Sequence, residues 1–150
     1  PNAQVTNWTA LRRASIDWHF HPALVGATPF WLAARFIQPA IMRLLVKHGA
    51  DPLFVHDADY IGAAGTFGAV RRTEKTTALM AAVGMGGPRR MGAFIDPNPS
   101  EVEALTLEAV KLAVELGIDT KAVDQEGRTA ADEARYESVV EYLTTNRSRR

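Results

Sequence analysis

The stretch GATPFWLAARFIQPAIMRLLVKHGAD, residues 26–51, decides the fold. Thr28 and Pro29 are typical of a helix start, because a Thr side chain can accept hydrogen bonds from the first free N–H groups and Pro is tolerated in the first turn. Ala33 and Ala34 keep this helix narrow. The pattern predicts a first helix that lies close against its neighbours.

A second helix is predicted immediately downstream. Ile41, Leu44, Leu45 and His48 follow the i, i+3, i+4, i+7 spacing of one helical face, so we expect this stripe to be buried. Gly49 stands where a helix ends in the left-handed conformation, which Gly adopts without steric penalty. Two short helices cannot cover their own apolar faces, so copies of the pair are expected to stack.

Parts of the same pattern recur downstream. TALMAAV at 77–83 repeats the first helix, and AVKLAV at 109–114 followed by GID at 117–119 repeats the second helix and its end. A third copy begins with DQEGRTAA at 124–131 and ends with VVEYL at 139–143. Self-similarity at this spacing is typical of repeat proteins.

These motifs, in this order, resemble the ankyrin repeat, whose pattern is roughly G-x-T-P-L-H-L-A-A, a turn, and I-V-x-L-L-L-x-x-G-A-D. The match runs without a gap through residues 26–51, except that Phe30 and Trp31 replace Leu-His and Ile37 replaces the Gly between the helices. We expect Trp31 to serve packing and Pro39 to help fix the turn. The resemblance implies an all-α solenoid of stacked helix-turn-helix units with hairpin loops.

The spacing of the motifs predicts insertions. An unbroken repeat has about 21 residues from its Thr to its Gly and about 12 more to the next Thr. Thr28 to Gly49 spans 21 residues and Gly117 to Thr129 spans 12, as expected. Gly49 to Thr77 spans 28 and Thr77 to Gly117 spans 40. About 16 and about 19 residues are therefore inserted in these two intervals.

The whole chain, 1–150, is expected to be one ankyrin-repeat domain. Its predicted parts are the tail of a preceding repeat with an inserted finger (1–25), a repeat (26–55), a second inserted finger (56–75), a repeat (76–122) with an inserted loop (86–100), and a C-terminal capping repeat (123–146). The glycine-rich stretch at 62–68 is expected to be mobile or tightly turned, and a helix is expected from Ser100 to about Leu116. The start, Pro-Asn-Ala, resembles the end of a repeat, so at least one upstream repeat is expected.

Composition limits the classes of function. Lys plus Arg equals Asp plus Glu, 17 against 17, so neither a nucleic acid nor an anionic membrane is favoured as a partner. The chain has no cysteine, which excludes disulfides, thiol nucleophiles and thiolate metal sites. Hydrophobic runs are shorter than the roughly 18 residues of a membrane span. We expect a monomer without a cofactor, and the compartment is not indicated.

The resemblance implies protein–protein interaction without enzymatic activity, through finger loops and the concave face of the inner helices. The candidate contacts lie on the two inserted fingers: Trp18, His19, His56, Asp57, Asp59, Tyr60 and Phe67. Aromatic side chains dominate interface energetics, and the charged residues can fix the orientation of a partner. No catalytic or metal-ligating residue is assigned.

Two alternatives stay open. The inserted loops could form a metal-binding or enzymatic module, because His19 and His21 form an H-x-H pair and His56, Asp57 and Asp59 lie on the neighbouring finger. The chain could also be a structural spacer or cap within a larger protein. Nucleophilic catalysis by Ser15 lacks a strand-turn-helix elbow, and the glycine-rich 62–68 lacks the G-K-[ST] ending of a phosphate loop.

Overall fold

A computed structural model of the protein describes residues 1–7, 21–64, 68–87 and 98–147. Within these ranges the chain forms helices and two strands, in the order α1 (Pro29–Arg35), α2 (Pro39–Lys47), β1 (Val55–Ala64), β2 (Gly68–Thr77), α3 (Ala78–Ala82), α4 (Pro99–Glu115), α5 (Ala130–Glu133) and α6 (Glu137–Arg147). A 3-10 turn, Pro22–Leu24, precedes α1. No helix in the described ranges is long and apolar enough to cross a membrane.

The first helix of each predicted copy begins at a threonine. The Thr28 hydroxyl accepts from the Trp31 backbone N–H at 3.4 Å, and the Thr77 hydroxyl accepts from the Met80 N–H at 3.3 Å. At α5 the direction differs, because the Thr129 N–H donates to an Asp132 carboxylate oxygen at 2.8 Å. These bonds satisfy groups that a helix start leaves free, so the predicted starts are confirmed.

The turn between α1 and α2 is tight although it contains no glycine. Ile37 takes a φ of +49°, the left-handed region that a β-branched side chain rarely adopts. The Gln38 N–H donates to the Ala33 carbonyl at 2.8 Å and closes the turn. Gly49 has a φ of +83°, as predicted for a residue that ends a helix.

The helices pack in pairs, and each pair packs on the next. α1 packs on α2, α3 on α4 and α5 on α6, while α1 contacts α3, α2 contacts α4 and α4 contacts α6. Their shared core is apolar and buried; among its largest members are Phe30, Trp31, Met42, Leu79, Met80, Val110, Val139 and Leu143. The helix predicted from Ser100 to Leu116 is confirmed as α4.

The prediction for the buried face of α2 is wrong by about one residue. Ile41 and Leu44, expected in the core, are 47% and 55% exposed, and His48 is also exposed. Met42 is buried in their place at 0% exposure, and Leu45 packs against the core from the edge. Compared with the prediction, α2 is rotated about its axis, so that Met42 rather than Ile41 lies on the face that meets α1 and α4.

The prediction of an all-α fold is also wrong. The segment predicted as a glycine-rich finger forms an antiparallel hairpin in which β1 and β2 pair over ten positions, from Val55↔Thr77 to Ala64↔Gly68. Its strands carry β-branched and aromatic residues, and buried and exposed residues alternate along β1. The fold is therefore mixed, with a two-stranded sheet that follows the first helix pair along the chain and precedes the second.

Candidate partner-binding site

The hairpin has a buried inner face and an exposed outer face. On β1 the side chains of His56, Ala58 and Tyr60 are buried, while those of Asp57 and Asp59 are exposed. This period of two is the expected geometry of a strand that packs on one side only. The inner face fixes the hairpin to the helices, and the outer face is exposed among the described residues.

His56 anchors the base of the hairpin. It is 0% exposed, and its Nε2 lies 2.7 Å from the Ala23 carbonyl oxygen, to which it donates. Its ring packs on that of Trp31 with centroids 4.5 Å apart. Burial lowers the pKa of His56, although the hydrogen bond to Ala23 and the nearby Glu74 and Asp57 act in the opposite direction. The inner face of β1 is thereby joined to α1 and to the 3-10 turn.

A second anchor, Tyr60, lies four residues further along β1. The Tyr60 hydroxyl donates to one oxygen of Glu74 at 2.6 Å, and the Gly87 backbone N–H donates to the other oxygen at 2.6 Å. Burial and this carboxylate raise the pKa of Tyr60 well above its usual value. Arg35, which is 6% exposed, donates to the Gly86 carbonyl at 3.2 Å. The hairpin, the end of α1 and residues 84–87 are thus held as one unit.

The outer face carries paired charges. Arg71 on β2 donates to Asp59 on β1 through two hydrogen bonds, one of them 2.7 Å long between Nε and Oδ1. The hydrogen bond from Arg71 lowers the pKa of Asp59. Lys75 stands opposite Asp57 in the ladder. Opposite charges at cross-strand positions favour this register over its neighbours.

A cleft of about 750 Å³ opens beside β2. One wall consists of residues 70–76, every residue of that part of the strand, and the other consists of residues 84–87 and 124–126 with Arg128 and Glu133. Successive side chains of a strand point to opposite faces, so a wall that includes all of them is the edge of the strand. We call residues 70–76 and 124–126 the hairpin–cleft surface.

The two walls touch at one point and differ in charge. The Thr73 hydroxyl donates to the Gln125 side-chain oxygen at 2.6 Å. On the β2 wall, Arg72 and Lys75 form no ion pair with a described acid. On the opposite wall, Arg128 holds three carboxylates within 3.3 Å, those of Asp124, Glu126 and Glu133. The cleft therefore has a basic side along the strand and an acidic side along the turn.

The structure places four of the seven predicted contacts together on β1. Two of them, Asp57 and Asp59, are exposed on the outer face, and the other two, His56 and Tyr60, are buried on the inner face. Trp18, His19 and Phe67 lie outside the described residues. Sequence reasoning missed Glu74, Arg35 and Gln125, because no pattern in the chain indicates that residues as far apart as Arg35 and Gly86 meet.

The hairpin geometry separates the residues considered for a metal site. His56 points to the inner face, whereas Asp57 and Asp59 point to the outer face, so one ion cannot reach all three. His21 uses its Nδ1 to accept from the Ala23 N–H at 3.1 Å. Within the part of the chain that the structure describes, no group of three or more His, Asp or Glu side chains could hold a metal ion.

Comparison with known proteins agrees with part of this picture. Residues 25–54 match a family model described as the ankyrin repeat, and this range contains α1, α2 and the turn after them. No curated protein matches the chain. Ankyrin repeats are in general protein–protein interaction modules and typically not enzymes.

Proposed function

We propose that the chain is a non-enzymatic protein-binding module that holds its partner on the hairpin–cleft surface and on the exposed outer face of β1. The observation that carries this proposal is the cleft of about 750 Å³ between the cleft-facing edge of β2 and residues 124–126. Its polar and charged lining, open on one side, suits a protein segment. The ankyrin-type helices supply the support beneath it.

The anchoring of the hairpin supports this proposal. An isolated two-stranded hairpin is marginally stable in water, and ordering it on binding would cost affinity. Here His56 and Tyr60 fix the inner face before any partner arrives. A partner therefore meets a surface that is already formed.

The proposed contacts divide into two groups by burial. Asp57 and Asp59 contact the partner directly from the outer face, and Arg72 and Lys75 do so from β2. His56 and Tyr60 act as supports that hold the strand in place. Trp18, His19 and Phe67 stay predicted contacts on the fingers.

Site-specific photo-cross-linking tests this proposal. Benzoylphenylalanine is introduced in turn at Gln125 and at Val70, both exposed beside the cleft, and at Lys47, which is exposed on α2 away from it. Each variant is irradiated in lysate of the source cell. One protein is expected to be cross-linked from both cleft positions and not from Lys47. Equal cross-linking from all three positions, or none from the cleft positions, would reject the proposed surface.

A further inference from the structure

We infer that the partner contributes an extended, acidic segment that pairs with the cleft-facing edge of β2 as a third strand. This inference rests on the proposed function and names the class of segment bound at the same surface. It follows from three properties of β2: a backbone edge that pairs with no described strand, the exposure of residues 68–73, and its charge.

One backbone edge of β2 has no ladder partner among the described residues. Within the described ranges, residues 68–76 form backbone ladder bonds with β1 only. Every second residue of an edge strand directs its N–H and C=O groups away from the sheet. These groups face the cleft, since residues from both faces of β2 line it.

An edge strand of this kind is usually short, covered or bulged in proteins that do not use it. β2 is ten residues long and pairs with β1 at every position from 55 to 64, without a bulge. Its outer half is exposed on both faces, and Ile61 beside it is 64% exposed. Addition of a strand would cover this edge and extend the side-chain rows on both faces.

The charges of β2 specify the segment. The strand carries Arg71, Arg72 and Lys75 against a single acid, Glu74. Both oxygens of Glu74 are occupied by Tyr60 and Gly87, so this carboxylate does not face a partner. Arg71 already donates two hydrogen bonds to Asp59, whereas Arg72 and Lys75 form no ion pair with a described acid. An added strand is therefore expected to carry one acidic side chain beside Arg72 on one face and one beside Lys75 on the other.

The experiment selects ten-residue peptides from a random displayed library, with the full chain as bait. Enriched peptides are synthesised and titrated in 50 mM and 300 mM salt. We expect acidic residues at two positions three residues apart, and an affinity that falls severalfold at the higher salt. Neutral or basic consensus sequences would overturn the inference.

Backbone pairing is tested on the same peptides. N-methylation of two alternate amides removes donors on one edge of the peptide, and N-methylation of the intervening two does so on the other edge. Affinity is expected to fall at least about tenfold for one set and much less for the other. Amide hydrogen exchange of alternate residues in β2 should slow at least about tenfold in the complex, while β1 stays unchanged.

The outcomes distinguish the two proposals. Peptides that lose binding with Arg72→Gln or Lys75→Gln, but tolerate both sets of N-methyl groups and leave β2 exchange unchanged, would overturn strand addition and leave the proposed function standing. A library that yields no peptide competing for the cleft would also overturn the inference. The cross-linking from Gln125 and Val70 tests the proposed function independently of these results.

Discussion

The imidazole of His56 packs on the indole of Trp31, with ring centroids 4.5 Å apart and an angle of 57° between the rings. Trp31 occupies the helix position at which the ankyrin pattern has its histidine, and in this chain a histidine approaches from the strand. The contact joins the hairpin to α1. Both side chains are buried, so the stability of the site depends on the protonation state of His56.

Acid should weaken the fold through this histidine. Burial lowers the pKa of His56 and of His21 below their usual value, so below about pH 6.5 the unfolded chain binds more protons than the folded chain. The free energy of unfolding is therefore expected to fall as the pH decreases from 7.5 to 5. Urea unfolding at a series of pH values measures this slope.

Matched variants assign the slope to its source. His56→Gln keeps a donor for the Ala23 carbonyl but does not titrate, so its stability should depend less on pH than that of the wild type. His48→Gln, on the exposed side of α2, is the control for the replacement of a histidine outside the hairpin. Identical slopes for the wild type and His56→Gln would show that His56 is not the titrating group.

Gly86 is expected to tolerate no side chain. A Cβ built there would lie 2.5 Å from the Trp31 Cζ2 atom and 3.1 Å from the Thr76 hydroxyl oxygen. Gly84 has a similar positive φ but no atom within 4 Å of its Cβ position. Gly84→Ala should lower the free energy of unfolding by about 1 kcal/mol through backbone strain alone. Gly86→Ala should lower it by about 2 kcal/mol more. Equal losses in urea unfolding would contradict this packing.

Much of the helical part could be predicted from the sequence, because its signals are local. Thr28 and Thr77 occupy the same place in the recurring pattern, and each begins a helix. Gly49 ends one. The family pattern also indicated the tight turn after α1, although Ile37 stands at its glycine position.

The strain at Ile37 gives a test of that turn. A β-branched residue at a φ of +49° costs roughly 1–2 kcal/mol, which Gly does not incur. Ile37→Gly is therefore expected to raise the free energy of unfolding by about 1 kcal/mol. Gln38→Gly is the control, because Gln38 has an ordinary φ of −111° and its replacement should cost about 0.5 kcal/mol. Thermal or urea unfolding that shows Ile37→Gly to be less stable than the wild type would exclude the strain.

The hairpin could not be predicted in the same way, because its signals are tertiary. The polar residues His56 and Glu74 read as loop residues in the sequence, yet both are directed inward by partners on distant elements. The same reason explains the error on α2: its periodicity allows either Ile41 or Met42 to begin the buried stripe, and only the position of α4 decides. Contacts between residues far apart in sequence carry no local pattern.

The Thr76 hydroxyl lies on the inner face of the hairpin with His56 and Glu74, and it has no hydrogen-bond partner among the described residues. A buried polar group without a partner costs about 1–3 kcal/mol. Thr76→Val, which keeps the shape and the strand preference, is expected to raise the free energy of unfolding by about 1 kcal/mol. Thr106→Val should lower it by about 0.5–1 kcal/mol, because that hydroxyl donates to the Val102 carbonyl at 2.7 Å. Urea unfolding that shows both variants to be destabilised would contradict the unpaired hydroxyl.

Isothermal titration calorimetry with the partner protein that is captured by cross-linking from Gln125 tests binding at the hairpin–cleft surface most directly. The partner is titrated into the wild type, the double variant Arg72→Gln/Lys75→Gln and the control Lys47→Gln. The dissociation constant should rise about tenfold or more for the double variant and stay at the wild-type value for Lys47→Gln. The same dissociation constant for all three proteins would place the partner elsewhere and contradict the proposed function.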